Sequence, residues 1–273
     1  MNKHENKMRQ LLDSGKGTVA TRIHSTWPTT VEALAATGKY DYVQFLAEYA
    51  PFNQVDLENF ARTTEYCDLG SMIKVDYMNR GYVAQKALAS GIQSVLFADH
   101  HTAEEVEATI KMIRPECPQY GAGQFGFAFR RWVGYRPLSP QLDFAKMASS
   151  VVTMFMIEKK EAVDRIDEIC AVPGVDMLQF GPYDYAMSCG FNAADDPQRV
   201  RAAEEKIIKA AEKYGVQVCA ELMDVKEAPY YLDLGIKHFN VGIELLILEN
   251  FWKTQGQDLL EMMDKAGIDV NEK

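Results

Sequence analysis

Acidic side chains stand at two points of the sequence where a buried strand is expected to end. Glu158 closes the apolar run 151–158, and Asp184 follows the run 177–181 after a Gly-Pro pair. Hard oxygen ligands of this type suit Mg²⁺ or Mn²⁺ better than a structural zinc. The two residues are therefore candidate ligands of one divalent cation, with paired surface carboxylates as the alternative.

Other side chains that can move protons or bind anions follow most of the remaining expected strands. They are His24, Glu48, Tyr49, Lys74, Asp76, Asp99, His100, His101, Glu221 and Glu244. Burying an unpaired ammonium is costly, so we expect Lys74 to contact a substrate or to pair with Glu48 or Asp76. A Schiff-base role for this lysine is a third possibility. Strand-end histidines and Tyr49 are candidates for acid–base work. Helix capping or solvation is the alternative for the histidines, and an aromatic side chain that only shapes the pocket is the alternative for Tyr49.

Eight short apolar runs, alternating with helical segments, must position these side chains. The runs are residues 18–24, 42–47, 72–75, 94–98, 151–158, 177–181, 216–221 and 238–243. Several are almost continuously apolar, which is typical of parallel strands covered on both faces. Thr102 with Glu105, and Asp196 with Pro197, indicate helix starts, and Gly215 indicates a helix end.

This rhythm predicts an α/β fold: one parallel eight-stranded (β/α)8 barrel domain spanning residues 1–273. A doubly wound open sheet is the alternative, but no glycine fingerprint follows the first strand, which argues against a dinucleotide site. The irregular stretch 116–140 is long enough to be functional. Its Arg130 and Arg131 could steer an anionic substrate or a neighbouring subunit, and a solvated basic pair is the alternative.

The amino-acid composition limits the kinds of molecule that the protein is expected to bind. The 273 residues are 47% apolar and carry a formal charge of −10, which argues against nucleic acid or an anionic membrane as the main partner. The five cysteines are scattered, which favours reduced thiols and a cytoplasmic protein. No stretch reaches the length of a membrane span. Residues 1–14 are too polar for a signal peptide, and a short amphipathic helix around residues 5–12 is expected.

One continuous segment resembles a known family. It reads MIEKKEAVDRIDEICAVPGVD over residues 156–176 and continues as QFGPYDYAMSCG over residues 179–190. A strand-end glutamate, a helix, VPGVD and then GPxDxxxxxG is similar to the signature of the HpcH/HpaI family of pyruvate-dependent aldolases. Weaker resemblance covers residues 31–51, 91–102 and 235–245, together with Arg131-Trp132.

The resemblance implies a class II, metal-dependent lyase on a (β/α)8 barrel that acts on a 2-oxo acid through a metal-bound pyruvate enolate. By position, Glu158 and Asp184 would hold the cation, which would be Mg²⁺ or Mn²⁺, with Co²⁺ or Zn²⁺ as alternatives. The backbone of Gly181, Pro182 and Tyr183 would hold the substrate carboxylate. It also implies a homo-oligomer built from dimers, up to a hexamer, with the C-terminal helix exchanged between subunits.

The sequence departs from the family at the groups that move protons. Where the family usually carries an Asp and a His after the second strand, this chain has Leu46 and Tyr49. Lys74 replaces an arginine beside the substrate carbonyl, which keeps the charge but loses the planar fork. Met156 replaces a glutamine. The proton-transfer group must then come from Tyr49, Lys74, His24, His100 or His101.

Two other readings stay open. In one, the same platform decarboxylates a 2-oxo acid or forms a C–C bond, and apolar Leu46 and Met156 suit a bulkier, less polar substrate. In the other, the barrel is a non-catalytic binding or assembly protein. The intact pair of carboxylates, Glu158 and Asp184, argues against the second reading.

Overall fold

The computed structural model describes residues 6–136 and 138–270. Eight parallel strands close into a barrel in which each strand pairs with its neighbours in chain order. They are β1 Thr18–Ile23, β2 Tyr42–Leu46, β3 Gly70–Val75, β4 Ser94–Phe97, β5 Val152–Ile157, β6 Met177–Phe180, β7 Gln217–Leu222 and β8 His238–Ile243. The predicted (β/α)8 barrel is confirmed, and the expected strand ends are within two residues of the observed ones.

Helices surround the barrel and follow each strand. They are α1 Lys7–Asp13, α2 Pro28–Ala36, α3 Gln54–Tyr66, α4 Arg80–Ser90, α5 Ala103–Ile113, α6 Gln141–Ser149, α7 Lys160–Asp164, α8 Ile166–Cys170, α9 Pro182–Ser188, α10 Pro197–Tyr214, α11 Ala228–Asp233 and α12 Glu244–Lys265. Thr102 and Asp196 cap α5 and α10 through their side chains, as predicted. Gly215 ends α10 in the left-handed conformation that favours glycine.

The strands alternate their side chains between two cores. Outward-facing residues such as Phe45, Phe97 and Phe155 pack against the helices. Inward-facing residues such as Met72 and Met154 fill the barrel. Both sets are fully buried, which explains why the strands read as continuous apolar runs. Buried polar pairs also lie inside the barrel, Thr18 with His238 at the amino end and Gln44 with Asn240 in the middle, while the charged inward residues Arg22, Lys74 and Glu221 lie towards the carboxyl ends of the strands.

Helix α1 covers the amino end of the barrel. Met8 is buried against the inner core, and the Asn6 side chain donates to the carbonyls of Gln93 and Ser150. The observed helix begins at Lys7, while residue 5 of the predicted helix lies outside the described residues. Because one end is plugged, side chains at the opposite, carboxyl end are the ones that can reach a substrate.

The long stretch between β4 and β5 is tied to the outside of the barrel. It contains a small hairpin, Glu116–Cys117 with Gly121–Ala122, and a 3₁₀ turn, Arg131–Val133. Arg130 pairs with Glu58 and Arg131 with Glu65, both on α3. The two arginines therefore anchor this stretch to a helix of the same chain and do not line the barrel's carboxyl end.

Helix α12 leaves the barrel with its apolar side chains uncovered. Of its residues, Leu245, Phe251, Trp252 and Met262 are each more than half exposed, and α12 contains no buried residue. It contacts the barrel through β1 and β8. No helix in the described part of the chain is long and apolar enough to cross a membrane.

Candidate active site

A cavity of about 850 Å³ opens at the carboxyl end of the barrel. Its inner part is lined by strand-end residues from β1, β2, β3, β5, β6 and β7. They are Arg22, Leu46, Tyr49, Lys74, Met156, Glu158, Gly181, Pro182, Tyr183, Asp184 and Glu221. An outer, apolar part continues between α10 and α11 and is lined by Val200, Ile207 and Tyr231.

Three carboxylates meet at one side of this cavity. One oxygen from each of Asp99, Glu158 and Asp184 lies within 4.8 Å of the other two. Glu158 is 2% exposed, and the backbone N–H of Asp99 donates to its Oε1 at 2.7 Å. Neighbouring strands β4, β5 and β6 supply the three residues, so barrel closure brings together groups that are far apart in sequence.

The carboxylate cluster has the chemistry and the space for a divalent cation. Its donors are hard oxygens, which Mg²⁺ and Mn²⁺ prefer. Gly181 faces the cluster, and a Cβ there would lie 2.7 Å from Cβ and 2.9 Å from Oε2 of Glu158. Only glycine leaves the Glu158 carboxylate in place, which gives a steric reason for this residue in the turn after β6.

Electrostatics also favour a cation at the cluster. Burial is the main cause that raises the pKa of Glu158 to about 7, opposed by the nearby Lys74. The Lys159 ammonium lies 2.6 Å from Asp99 Oδ1 and 3.8 Å from Asp184 Oδ1. Burial disfavours that ammonium, but the hydrogen bond with Asp99 and the charges of the three carboxylates together outweigh this cost and raise the pKa of Lys159. Three carboxylates thus have one ammonium in direct contact, Lys159, and a second one nearby, Lys74.

Lys74 lies at the end of β3 and is 3% exposed. Its ammonium pairs with Glu48 at 2.5 Å and donates to the Tyr49 hydroxyl at 2.9 Å. Burial opposes the charge, but the carboxylates of Glu158 and Glu48 outweigh it and raise the pKa of Lys74. A lysine held in its charged form is poorly suited to Schiff-base formation, which needs the neutral amine.

Tyr49 follows β2, and its hydroxyl accepts a hydrogen bond from the Lys74 ammonium. Burial raises its pKa to about 12, although the charge of Lys74 lowers it. The phenol is therefore protonated at neutral pH, and the adjacent ammonium is placed to stabilise the phenolate when the proton leaves. Leu46 and Met156, both buried, line the cavity beside it.

The histidines lie elsewhere. His100 is fully buried, and its ring nitrogens contact the Ala98 carbonyl at 2.8 Å and Thr109 Oγ1 at 2.7 Å. Burial lowers its pKa to about 4. His101 is on the surface beside Glu161, with 3.7 Å between Nδ1 and Oε2.

His24 lies after β1, and its backbone N–H donates to Glu244 at 3.0 Å. None of the three imidazoles is among the described residues that line the cavity. The structure therefore brings together Glu158, Asp184, Lys74 and Tyr49, and leaves His24, His100 and His101 outside the cavity. A catalytic role for these histidines stays a prediction without a contact to support it.

Sequence reasoning missed three cavity or cluster residues. Asp99 was one of many strand-end acids, with nothing to single it out, and Lys159 follows Glu158 directly in the motif. Arg22 lies on β1, the strand opposite β5 in the barrel. It is 4% exposed and pairs with Glu221 on β7. Inward alternation along β1, from Ala20 to Arg22, was the signal available for it.

Comparisons with known proteins agree with this arrangement. A family model described as HpcH/HpaI aldolase/citrate lyase matches residues 23–250. A hydroxypyruvate/pyruvate aldolase from Paraburkholderia phytofirmans is 27% identical over 221 residues, which are 79% of this chain and 82% of that protein.

Two solved structures share the fold. A HpcH/HpaI aldolase/citrate lyase family protein from Burkholderia cenocepacia J2315 has a TM-score of 0.82 at 24% identity, covering 93% of this chain and 99% of that one. Citrate synthase SbnG has a TM-score of 0.80 at 22% identity, covering 95% and 98%. These likenesses establish the barrel architecture.

Proposed function

The chain belongs to the HpcH/HpaI aldolase/citrate lyase family, and from this premise we propose that it is a divalent-metal-dependent carbon–carbon lyase acting on a 2-oxo acid through a pyruvate enolate. The observation that carries the proposal is the cluster of Glu158, Asp184 and Asp99 beside Lys74 in one cavity. Aldolase names among the relatives support the reaction class.

We propose Glu158 and Asp184 as the protein ligands of Mg²⁺ or Mn²⁺, with Co²⁺ or Zn²⁺ as substitutes. Such a cation would supply Lewis-acid stabilisation of the negative charge that develops on the 2-oxo group. The turn Gly181-Pro182-Tyr183 faces the same space. Gly181 donates its N–H to the Ile157 carbonyl at 3.1 Å, and Pro182 has no N–H. Peptide N–H groups in the first turn of a helix have no partner within the helix, so the N–H groups of Tyr183 and Asp184 can donate to the substrate carboxylate.

Lys74 is proposed to stabilise the enolate oxygen from the other side. Its position beside Glu48 and Tyr49 fixes the ammonium at the cavity wall, so it does not have to reorganise during the reaction. An ammonium does not have the fixed, planar hydrogen-bond geometry of a guanidinium. The hydrogen bond to Tyr49 orients the flexible Lys74 side chain instead.

Tyr49 is proposed as the proton-transfer group. In the direction of C–C bond formation, its phenol gives a proton to the carbonyl oxygen of the acceptor as the enolate carbon attacks, and Lys74 stabilises the phenolate. In cleavage, the phenolate accepts the proton of the 4-hydroxyl as the bond breaks, by microscopic reversibility, so cleavage should become faster as pH rises towards the pKa of Tyr49, about 12. Tyr49 thereby does the work of the acidic and imidazole groups that this chain lacks after β2.

Pyruvate proton exchange tests the proposal. In D₂O with Mg²⁺ or Mn²⁺, the native protein should remove the pyruvate methyl signal from the proton NMR spectrum, and EDTA should stop the loss. Glu158→Gln should slow the exchange by about 10³-fold, because charge stabilisation at the reacting oxygen is usually the largest catalytic effect.

Glu161→Gln is the matched control, because Glu161 is an exposed carboxylate on α7 that pairs with His101 and Arg165 outside the cavity. Its exchange rate should equal the native rate. If no cation supports exchange by the native protein, the enolate proposal is wrong, and a binding or assembly barrel becomes the better account.

A decarboxylase or C–C bond-forming synthase is the second candidate. Buried Leu46 occupies the end of β2 and gives that side of the cavity an apolar wall next to Tyr49. A fold neighbour is a citrate synthase. Metal-dependent loss of CO₂ from oxaloacetate, faster than cleavage of any 4-hydroxy-2-oxo acid, would favour this candidate over the aldolase.

The exposed helix supports a homo-oligomer in which each copy contributes one barrel domain of residues 1–273. We propose that α12 packs on a second copy, because its apolar side chains are uncovered along the whole helix. Trp252→Glu should then reduce the mass measured by light scattering, while Gln255→Glu, on the same helix but polar in the native chain, should not.

We also propose a reducing, cytoplasmic setting and no nucleic-acid or membrane partner. All five cysteines are unpaired thiols. The formal charge of −10 repels polyanions, so the partner we expect is a small 2-oxo acid whose negative charge is matched locally in the cavity.

A further inference from the structure

Lys159 places an ammonium inside the carboxylate cluster of Asp99, Glu158 and Asp184. Its Nζ is 2.6 Å from Asp99 Oδ1 and 3.8 Å from Asp184 Oδ1, and its side chain is only 16% exposed. Lys159 is the residue immediately before α7. Its two ion pairs direct the side chain into the cluster.

Asp99 is held in place for this contact by its backbone. Its φ of 62° lies in the left-handed region, which is uncommon for a residue with a side chain. In this conformation its N–H donates to Glu158 Oε1 at 2.7 Å while its carboxylate reaches Lys159. Strained backbone of this kind persists where the surroundings fix it, and it is concentrated at functional sites.

We propose that Lys159 and the divalent cation compete for the carboxylates of Asp99 and Asp184, so that this lysine sets the metal affinity of the protein. Asp99 is the residue through which the competition acts, since it binds the ammonium most closely. This inference rests on the metal site of the proposed function and adds to it a built-in cation and a third carboxylate.

The physical reason is charge. A cation of charge +2 in the cluster would stand a few ångströms from the ammonium, and like charges at that distance repel strongly in a partly buried site. The flexible four-carbon stem lets the lysine move to solvent, which limits the penalty but requires breaking the contact with Asp99. Weak, exchangeable metal binding is the expected result.

Titration of metal-free protein with Mn²⁺ alone, followed by the EPR signal of free Mn²⁺, tests the competition. Lys159→Met keeps most of the side-chain volume and should lower the Kd by about tenfold or more, because the competing charge is gone. Lys160→Met is the matched control, since Lys160 pairs with Asp164 at 2.5 Å and is 55% exposed. Its Kd should stay within about twofold of native.

A second variant tests whether Asp99 is the point of competition. Asn tolerates the left-handed conformation, so Asp99→Asn should keep the backbone while removing the ammonium's nearest partner. In that background, Lys159→Met should change the Kd by less than about threefold, because the lysine is no longer held in the cluster.

The possible results separate the two levels of the account. Native protein and Lys159→Met that both fail to bind Mn²⁺ would refute the metal site itself. Native binding with an unchanged or weaker Kd in Lys159→Met would refute the competition and leave the metal site standing. If Lys159→Met lowers the Kd for Mn²⁺ by the same factor in native protein and in Asp99→Asn, the role of Asp99 is refuted.

Discussion

The two sides of the cavity differ in how they are built. The β5–β6 side takes Glu158, Gly181 and Asp184 from one continuous segment, and their spacing in the sequence predicts a cation site. The β2–β3 side takes Tyr49 and Lys74 from separate segments that contact each other only in the folded barrel. We propose that the first side binds the cation and that the second side moves protons, so variants on the two sides should lose different properties.

The largest expected effect is on the β3 position. Lys74→Met should lower both pyruvate exchange and aldol cleavage by about 10³-fold, because the enolate loses its ammonium partner, while Mn²⁺ still binds. Steady-state kinetics and Mn²⁺ titration of the same sample measure both. Lys74→Arg keeps the charge and should recover part of the rate; a Lys74→Met variant with native kcat/KM would contradict the assignment.

Glu158, at the end of β5, should make the free energy of unfolding depend on pH when no metal is present. Glu158 has a pKa of about 7 in the folded protein and about 4.5 in the unfolded chain, so the folded state binds the proton more tightly. Stability contributed by the protonated form is present below pH 4.5 and is lost as pH rises to 7, by about 3 kcal/mol.

Urea unfolding in EDTA at pH 5 and pH 8 measures this loss. Glu158→Gln should reduce the difference between the two pH values, because glutamine does not ionise. A native protein with a larger free energy of unfolding at pH 8 than at pH 5, and no change in Glu158→Gln, would mean that Glu158 is not the buried acid described here.

Tyr49→Phe should lower kcat for cleavage and for pyruvate exchange by about 100-fold, the contribution usual for a positioned proton donor. The Kd for Mn²⁺ should not change, since Tyr49 belongs to the other side of the cavity. If Tyr49→Phe lowered kcat and Mn²⁺ affinity equally, the two sides of the cavity would not have separate roles.

The smallest effect on activity is expected at β4. His100→Gln should leave kcat/KM within about twofold of native, because the ring is engaged by Ala98 and Thr109 behind the barrel wall. It should cost about 1–3 kcal/mol of stability through lost buried hydrogen bonds, measured by urea unfolding. If His100→Gln lost activity without losing stability, His100 would be an acid–base candidate again.

Much of this architecture can be predicted from the sequence, and the features that cannot be predicted have physical causes. The strands were predictable because parallel strands are buried on both faces, and the motif from Glu158 to Asp184 predicted two of the three carboxylates that meet in the cluster. Alternation along β4 would send Ala98 and then His100 inward. The left-handed backbone at Asp99 interrupts that alternation, which directs the carboxylate to the cluster and the imidazole to the helix layer.

Contacts between side chains of different strands could not be predicted from the sequence for another reason. The pairs Lys74–Tyr49 and Arg22–Glu221 depend on the height at which each side chain stands, and a residue's type does not encode that height. The same limit applies to Lys159, since a lysine next to a metal ligand can point to solvent or to the cluster. Only the folded chain decides between these directions.

A crystal structure of the protein with Mn²⁺ and pyruvate tests the central claim most directly. We predict an anomalous manganese peak at about 2.0–2.4 Å from a carboxylate oxygen of both Glu158 and Asp184, with pyruvate between it and Lys74. Manganese bound elsewhere, or pyruvate bound away from these two carboxylates, would contradict the account.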